Sequence, residues 1–103
     1  MAAAAAPVEL EVVRDDERGR YELRAPDGEV LGSADFSELR DGRVLLPHTV
    51  VPPRHGGRGH GTTLVRGALD DLRARGVTTV VPTCWFVAAF IDRHPEYGDL
   101  VGR

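Results

Sequence analysis

Residues 50–62 constrain the fold of this chain most, because four glycines fall within six residues directly before a helical pattern. These glycines are Gly56, Gly57, Gly59 and Gly61. Since glycine has no Cβ, successive backbone N–H groups can converge there on one anion, and the helix that follows adds the positive end of its dipole. The segment predicts a strand-to-helix turn that binds a pyrophosphate. A glycine loop without a ligand is the alternative.

The same segment lacks the marks of two other nucleotide-binding turns. An ATP-binding P-loop ends in Gly-Lys-Ser/Thr, and this chain contains no lysine. A dinucleotide fold places Asp or Glu on the next strand to bind ribose, whereas residues 77–81 read Val-Thr-Thr-Val-Val. A nucleoside triphosphate and NAD are therefore both disfavoured.

Length and composition predict one small globular domain. The chain has 103 residues, of which 42% are hydrophobic and 28% charged. A net charge of -3 disfavours nucleic acid and anionic membranes as partners.

Residues 1–7 lack the basic and apolar runs of a signal peptide and predict a disordered tail before a domain at residues 8–103. With Cys84 as the single cysteine no internal disulfide can form, which favours the cytoplasm.

Alternation and turn signals predict antiparallel strands in the first half of the chain. The strands are expected at residues 8–13, 21–24, 30–36 and 43–50, with turns at residues 25–29 and at Asp41-Gly42. Nothing in this half has catalytic spacing, so it is predicted to be scaffold.

The second half predicts a helix, a strand and a short helix. Apolar residues recur at helical spacing from Thr62 to Arg75, and Gly76 is expected to end that helix. The β-branched residues 77–81 predict a central buried strand, parallel to its partner because a helix crosses between them. Residues 86–93 predict a second helix that His94-Pro95 ends. The fold class is α/β (α+β) with a mixed sheet.

Three motifs in register resemble the GCN5-related N-acetyltransferase superfamily. They are Pro47-His48-Thr49-Val50-Val51-Pro52, the glycine loop leading into Leu64-Val65, and residues 82–91 followed by His94-Pro95-Glu96-Tyr97. Within that superfamily the chain looks like the small, minimal proteins of the YjdJ type, over residues 48–101. The resemblance implies a sheet that splays after the fourth strand, with CoA in the gap.

The resemblance also implies that the glycine loop binds the diphosphate of acetyl-CoA through backbone N–H groups. The superfamily's pattern for this loop is Arg/Gln-x-x-Gly-x-Gly/Ala. Gly59 and Gly61 match its two small positions, but Gly56 stands where the pattern has Arg or Gln. A register two residues earlier puts Arg54 in the lead, so two registers stay open. Arg58 lies inside the loop in both and is expected to contact phosphate. The predicted cofactor-binding residues are Val50, Val51, Arg54, Gly56, Gly57, Arg58, Gly59, His60, Gly61 and Thr62.

Cys84 and His48 are the predicted catalytic residues. The resemblance places Cys84 near the acetyl group, which its thiolate could accept or lie beside; a packed core cysteine is the alternative. Trp85 stands where the superfamily usually has proline. His48 could deprotonate an amine acceptor, or it could be a strand-end histidine bonded to Thr49 or the backbone. A backbone N–H near Val50 or Val51 is expected to bind the oxyanion.

Other side chains offer weaker alternatives. Glu96 and Tyr97 could act as base or acid near the leaving thiolate, or form a surface pair at a helix end. Five potential zinc ligands lack the paired spacing of zinc sites, so no metal is predicted. Those five are His48, His55, His60, His94 and Cys84.

These observations predict an N-acetyltransferase that transfers acetyl from acetyl-CoA to an amine acceptor, as a monomer or weak dimer. Few residues precede the first hairpin, so the helices that build the acceptor pocket in larger relatives are missing from the pattern. That absence supports the alternative, a non-catalytic CoA-binding or protein-interaction module.

Overall fold

The computed structural model describes residues 9–103, so the predicted tail at residues 1–7 lies outside the described part. The strands are β1 (Glu11–Asp15), β2 (Arg20–Arg24), β3 (Val30–Asp35), β4 (Ser37–Glu38), β5 (Val44–Leu45), β6 (Thr49–Val50) and β7 (Val80–Val81). The α-helices are α1 (His60–Ala74) and α2 (Trp85–Arg93), and 3-10 helices cover Pro53–His55 and Pro95–Val101. None of the helices in residues 9–103 is both long and apolar enough to cross a bilayer.

Four strands form an antiparallel sheet in the order β1-β2-β3-β6, and this confirms the predicted hairpins. The turn between β2 and β3 closes where the Gly28 N–H donates to the Ala25 carbonyl at 2.9 Å. Side chains alternate across the sheet, so Tyr21 and Leu23 enter the core under α1 while Glu22 faces the other way. We call these the inner and outer faces of the sheet.

The remaining strands form a second sheet in the order β4-β5-β7. Asp41-Gly42 makes the predicted turn between β4 and β5, with the Gly42 N–H donating to the Leu39 carbonyl at 3.0 Å. Strands β5 and β7 are parallel, and Val44 lies opposite Val80. The parallel pair predicted from the helical crossover is therefore confirmed.

Two strand predictions are wrong in extent. The single strand expected at residues 43–50 is two strands in different sheets, because Pro47 has no N–H and interrupts the ladder between them. The strand expected at residues 77–81 is paired only at Val80–Val81 and lies at a sheet edge, with Thr78 and Thr79 exposed. Its β-branched residues indicated extended backbone but could not show how many strands pair with it.

Helix α1 packs its apolar stripe on the inner face of the sheet, as its spacing predicts. The buried residues of the stripe are Leu64, Val65, Ala68, Leu69 and Leu72. Gly67 lies so close to β1 that a Cβ there would come within 2.5 Å of Val12 Cγ2. Gly76, with φ +88°, follows the helix end as predicted, and the Val77 N–H donates to the Leu72 carbonyl at 3.0 Å.

The two sheets separate at a pair of prolines, and we call the unpaired region between β6 and β7 the cleft. Leu46 is the last residue that bridges β5 and β7: its N–H donates to the Val81 carbonyl, and its carbonyl accepts from the Cys84 N–H. Pro47 and Pro82 follow on the two sides, and neither can donate to continue the ladder. Beyond them, β6 pairs only with β3. The sheets therefore part at Pro47, within the segment predicted as the fourth strand and not after it.

Candidate functional site

The glycine loop enters the first turn of α1 with two residues in the left-handed region. Gly57 has φ +76° and Gly59 has φ +75°, a conformation that other residues rarely adopt. The helix begins at His60, two residues before the predicted start, with Gly59 as its N-cap. His60, Gly61 and Thr62 therefore lie in the first helical turn.

Backbone N–H groups in this loop are left open. Within residues 9–103, those of residues 57–62 donate to no other protein group, whereas the Gly56 N–H donates to the Pro53 carbonyl at 3.0 Å. The first turn of α1 carries no acidic side chain. Because the amides and the helix dipole are both positive there, this site favours an anion.

A cavity of about 240 Å³ lies against these N–H groups. Predicted residues line it, among them Val51, Gly57, Gly59 and Gly61, together with the ring of Phe86. A Cβ on Gly61 would come within 2.8 Å of Phe86 Cζ. Sequence reasoning missed Phe86, which comes from α2; only its position two residues after Cys84 could have drawn attention to it.

Basic side chains surround the loop. Arg54 and Arg58 are exposed outside the cavity lining, and neither forms an ion pair with any residue the structure describes. His55 is mostly buried, and its Nε2 lies 3.3 Å from Glu29 Oε2 without hydrogen-bond geometry. The arginines are available for a ligand, while His55 lies beside the turn before β3 without bonding to it.

Cys84 lies on the inner side of the cleft, at the N-cap of α2. It is 8% exposed, and its thiol donates to the Thr49 hydroxyl at 3.6 Å. Burial opposes ionisation and is the largest single influence, but the amides of Val87 and Phe86 and the Thr49 hydroxyl outweigh it. The pKa of the Cys84 thiol is therefore lowered, which favours the reactive thiolate.

His48 does not approach Cys84. Thr49 turns to the inner face to meet the thiol, and its neighbour His48 points to the outer face because side chains alternate along an extended chain. The imidazole is 72% exposed, and its Nδ1 lies 3.5 Å from Asp35 Oδ2. The structure therefore does not place the two predicted catalytic residues together. Asp35 was missed, since only the β3–β6 register reveals it.

The side chains of Val50 and Val51 lie in different surroundings. Val50 is 56% exposed on the outer face, whereas Val51 lines the cavity. The assignment of an oxyanion-binding N–H to either residue stays a prediction.

Glu96 and Tyr97 hold the C-terminal segment to α1. The Tyr97 hydroxyl donates to Asp70 at 2.6 Å, and Glu96 lies 3.5 Å from Arg66. Burial, reinforced by the bond to Asp70, raises the pKa of Tyr97. With its proton engaged by Asp70, Tyr97 has a structural role, and the acid-base alternative for this pair has no support in the contacts.

The potential zinc ligands are dispersed. His55 and His60 have ring centroids 6.4 Å apart, and His94 stacks on Phe90 at 4.0 Å. Across residues 9–103, no three or more His, Cys, Asp or Glu side chains are grouped to hold a metal ion.

Comparisons with solved structures show the same fold in acetyltransferases. A GCN5-like candidate N-acetyltransferase of Staphylococcus aureus superposes with a TM-score of 0.67 at 17% identity, over 89% of this chain and 87% of that one. An IAA acetyltransferase of Bacillus cereus gives 0.62 at 17% identity, over 84% and 75%. A GCN5-related N-acetyltransferase of Sphaerobacter thermophilus gives 0.51 at 23% identity, over 75% of this chain and 28% of that one.

A search of the curated proteins finds no match to this chain. The narrower likeness to the YjdJ type stays a prediction. The family described as GCN5-related N-acetyl-transferase matches residues 20–100, which include every strand except β1, the glycine loop and both α-helices. The chain therefore belongs to the GCN5-related N-acetyltransferase family.

Proposed function

We propose that this protein transfers an acetyl group from acetyl-CoA to an amine, releasing CoA with a free thiol and forming an acetamide. Membership of the acetyltransferase family supports the reaction class. The observation that carries the proposal is the row of open N–H groups at residues 57–62, before a helix whose first turn holds no acidic side chain. Such a row suits a diphosphate.

The loop fits the diphosphate of CoA in shape and in charge. The left-handed Gly57 and Gly59 turn the chain so that its backbone faces the ligand, and Gly61 leaves space that a Cβ would take from Phe86. Arg54 and Arg58 can close over the phosphates from outside, and each offers forked donors. Bound there, acetyl-CoA would supply a reactive acetyl thioester.

The cleft between β6 and β7 is the proposed path for the pantetheine arm. It begins beside Val51 in the cavity and leads toward Thr49 and Cys84, where the two sheets part at Pro47 and Pro82. Strand edges that are left without a ladder partner can bind the amide groups of an extended arm.

Cys84 and His48 act from opposite sides of β6 in this proposal. The lowered pKa of Cys84 favours a thiolate on the inner side, able to carry the acetyl group. His48, oriented by Asp35, accepts the proton of an amine that approaches over the outer face. No helix among residues 9–103 covers that face, because only residues 16–19 join β1 to β2. A protein amine or an extended small amine can reach it.

Acetyl transfer is tested with acetyl-CoA and a panel of amines, following amine-dependent formation of CoA by mass spectrometry. We expect turnover in the wild type and a loss of about a hundredfold in His48→Ala, the usual scale for a general base. Cys84→Ala should lose the intact-mass shift of one acetyl group that the wild type shows without amine. Arg40→Gln, an exposed change in the β4–β5 turn, is the control.

The outcomes separate the alternatives. Acetyl-CoA binding without amine-dependent CoA formation would identify the chain as a CoA-binding module. Absence of binding would contradict the whole proposal. If both variants turned over like the wild type, the two catalytic assignments would be wrong while the reaction stood. Cytoplasmic location and a monomer or weak dimer stay predictions.

A further inference from the structure

Glu22 is buried although it lies on the outer face of the sheet. It is 2% exposed, and no other charged residue among residues 9–103 is buried to that extent. Its carboxylate lies between two guanidinium groups on its own strand. Arg20 donates to Oε2 from Nε and Nη2 at 2.9 and 2.7 Å, and Arg24 donates to Oε1 from the same two atoms at 3.0 and 2.6 Å. Four charge-assisted bonds thus fix both arginines to one carboxylate.

The Glu22 carboxylate stays charged over the pH range in which histidines change charge. Burial opposes its ionisation and is the largest single influence, but the bonds from Arg24 and Arg20 outweigh it and lower the pKa of the Glu22 carboxyl. Histidines ordinarily titrate well above such a carboxyl. The two arginines therefore remain bound to Glu22 while an imidazole on the same face gains or loses a proton.

Arg20 would otherwise be expected to pair with Asp35. The two residues lie directly opposite each other in the register of β2 and β3, and opposite charges placed in this way attract. Within residues 9–103, however, the carboxylate that Arg20 contacts is that of Glu22. Asp35 instead faces His48, whose Nδ1 lies 3.5 Å from Asp35 Oδ2. The observed pairing thus leaves Asp35 free of Arg20.

The other charges near Arg20 and Arg24 decide where a released arginine would go. Asp15 lies opposite Arg20 on β1, but Arg18 binds it at 3.1 Å. Asp35 is therefore the acid open to Arg20. Arg24 lies four residues further along β2, opposite Glu11 and Val30, so it is not in register with Asp35.

We propose that Glu22 is a positioning residue for the general base: it holds Arg20 away from Asp35, so that the negative charge of Asp35 acts on His48. A carboxylate beside an imidazole makes the imidazole a stronger base, and a carboxylate already paired with a guanidinium does so less. The assignment rests on the proposed function, because that function gives His48 its role as the base.

Proton NMR of the free protein tests the assignment, because imidazole signals report the pH at which each ring is half protonated. His48→Gln removes one of four sets of signals and so identifies His48. In Glu22→Gln, Arg20 is released toward Asp35, and the midpoint of the His48 titration should fall by about half a pH unit. The expected shift is modest because His48 and Asp35 are 72% and 47% exposed and water screens their interaction.

A second substitution separates positioning from a purely structural role. In Glu22→Gln/Arg20→Gln no arginine remains in register with Asp35, so His48 should titrate as in the wild type. Glu22→Gln/Arg24→Gln is the matched control, since it removes the other arginine of the same carboxylate and should keep the lowered midpoint. Equal midpoints in wild type and Glu22→Gln, or equal recovery in the two double variants, would overturn the proposal.

Arg20→Gln alone keeps the test decisive if Glu22→Gln does not fold. Because Arg20 is bound to Glu22 and not to Asp35, this variant should leave the His48 midpoint unchanged. A rise of about half a pH unit would show that Arg20 already screens Asp35 in the wild type, and the proposal would be wrong.

Kinetics connect the titration to the reaction. In Glu22→Gln, the acid limb of the pH profile for amine-dependent CoA formation should move to lower pH with the His48 midpoint. The rate above that limb should fall about twofold, because a weaker base accepts the proton less readily.

Failure of this assignment is distinguishable from failure of the proposed function. If the wild type forms no CoA with any amine, the proposed function is overturned, and with it the catalytic meaning of Glu22, whatever the NMR titration shows. If acetyl transfer occurs but the His48 midpoint does not respond to Glu22→Gln, the assignment to Glu22 is overturned and the acetyltransferase proposal stands.

Discussion

The two ends of α1 are built in opposite ways. At its N-terminal end, the backbone N–H groups of residues 57–62 are open, and the arginines nearby form no ion pairs within residues 9–103. At its C-terminal end, backbone and side chains alike are bonded to neighbouring segments. One end is available to a ligand, and the other holds the fold together.

The bonded end joins α1 to two distant parts of the chain. Asp71 accepts from the Tyr21 hydroxyl at 2.6 Å and from Arg75 at 2.7 Å. Burial, followed by the bond to Asp71, raises the pKa of Tyr21 to about 12. On the other side, Tyr97 donates to Asp70, and Arg73 binds the C-terminal 3-10 helix through the Glu96 carbonyl.

This contrast predicts that stability and ligand binding can be changed separately along one helix. A backbone amide that donates to a group inside the fold contributes to stability. An amide without a protein acceptor contributes to stability only when a ligand binds it. Substitutions at the two ends should therefore affect different measurements.

The largest effect is expected at the bonded end, from Tyr97→Ala. Tyr97 is 3% exposed and its ring packs at a tilt against Phe90, so its loss leaves a cavity and should lower the free energy of unfolding by about 3–5 kcal/mol. Tyr97→Phe removes only the hydroxyl, which donates to Asp70 and accepts from Arg66, and should cost about 1–2 kcal/mol. Urea unfolding followed by circular dichroism measures both.

Calorimetry tests whether the bonded end of α1 also affects ligand binding. The affinity of folded Tyr97→Phe for acetyl-CoA should equal that of the wild type. A tenfold weaker affinity would show that the two ends are coupled through the helix.

Two glycines of α1 provide a matched pair with an intermediate effect. A Cβ on Gly67 would meet Val12 of β1 at 2.5 Å, so Gly67→Ala should cost about 1–3 kcal/mol of stability by overpacking. A Cβ on Gly61 would meet only the far end of the Phe86 ring, which can move. Gly61→Ala should therefore leave stability nearly unchanged but reduce acetyl-CoA affinity about tenfold, because the displaced Phe86 ring lines the loop cavity.

Urea unfolding and acetyl-CoA calorimetry, both measured on Gly67→Ala and Gly61→Ala, test these expectations. The comparison between the ends of α1 fails if Gly67→Ala weakens binding as much as Gly61→Ala does. Equal affinity in Gly61→Ala and wild type would show that Phe86 swings away from the cavity.

Much of the fold could be predicted from the sequence because its signals are local. Asp41-Gly42, Gly76 and the apolar spacing of α1 each fix a turn, a helix end or a buried face without reference to distant residues. Strand partners are not local: the break at Pro47 sends Val44 and Thr49 into different sheets, and only the three-dimensional pairing shows it.

The residues of the candidate site also differ in whether local sequence could predict them. The glycine loop was predictable because backbone conformation and the adjoining helix lie in one stretch of chain. The positions of Thr49, Phe86 and Asp35 were not, since each meets its partner across a strand pair or a helix contact. The separation of His48 from Cys84 depends on alternation at Thr49, and strand boundaries must be known before alternation can be read.

The second helix extends the comparison, because its N-terminal end also carries a predicted site residue. The amides of Val87 and Phe86 lower the pKa of the Cys84 thiol, so a thiolate would take the place that an anion would take at α1. At the other end of α2, the His94 N–H donates to the Ile91 carbonyl, and Pro95 begins the 3-10 helix. Both α-helices thus have a predicted site residue as N-cap, Gly59 for α1 and Cys84 for α2.

The smallest predicted effect is the pH dependence that Cys84 adds to stability. Its folded pKa is lowered, so between that value and the unfolded thiol pKa of ~8.5 the unfolded state binds more protons. The thiolate's contribution is therefore fully present above the unfolded pKa and is lost as the pH falls through the folded pKa. Urea unfolding of wild type and Cys84→Ser at several pH values should show their difference growing in favour of wild type from neutral pH to pH ~9. Thr49→Val removes one bond to the thiolate and should reduce the pH-dependent increase in that stability difference. A stability difference between wild type and Cys84→Ser that does not change with pH would mean that the amides at the start of α2 do not stabilise the thiolate.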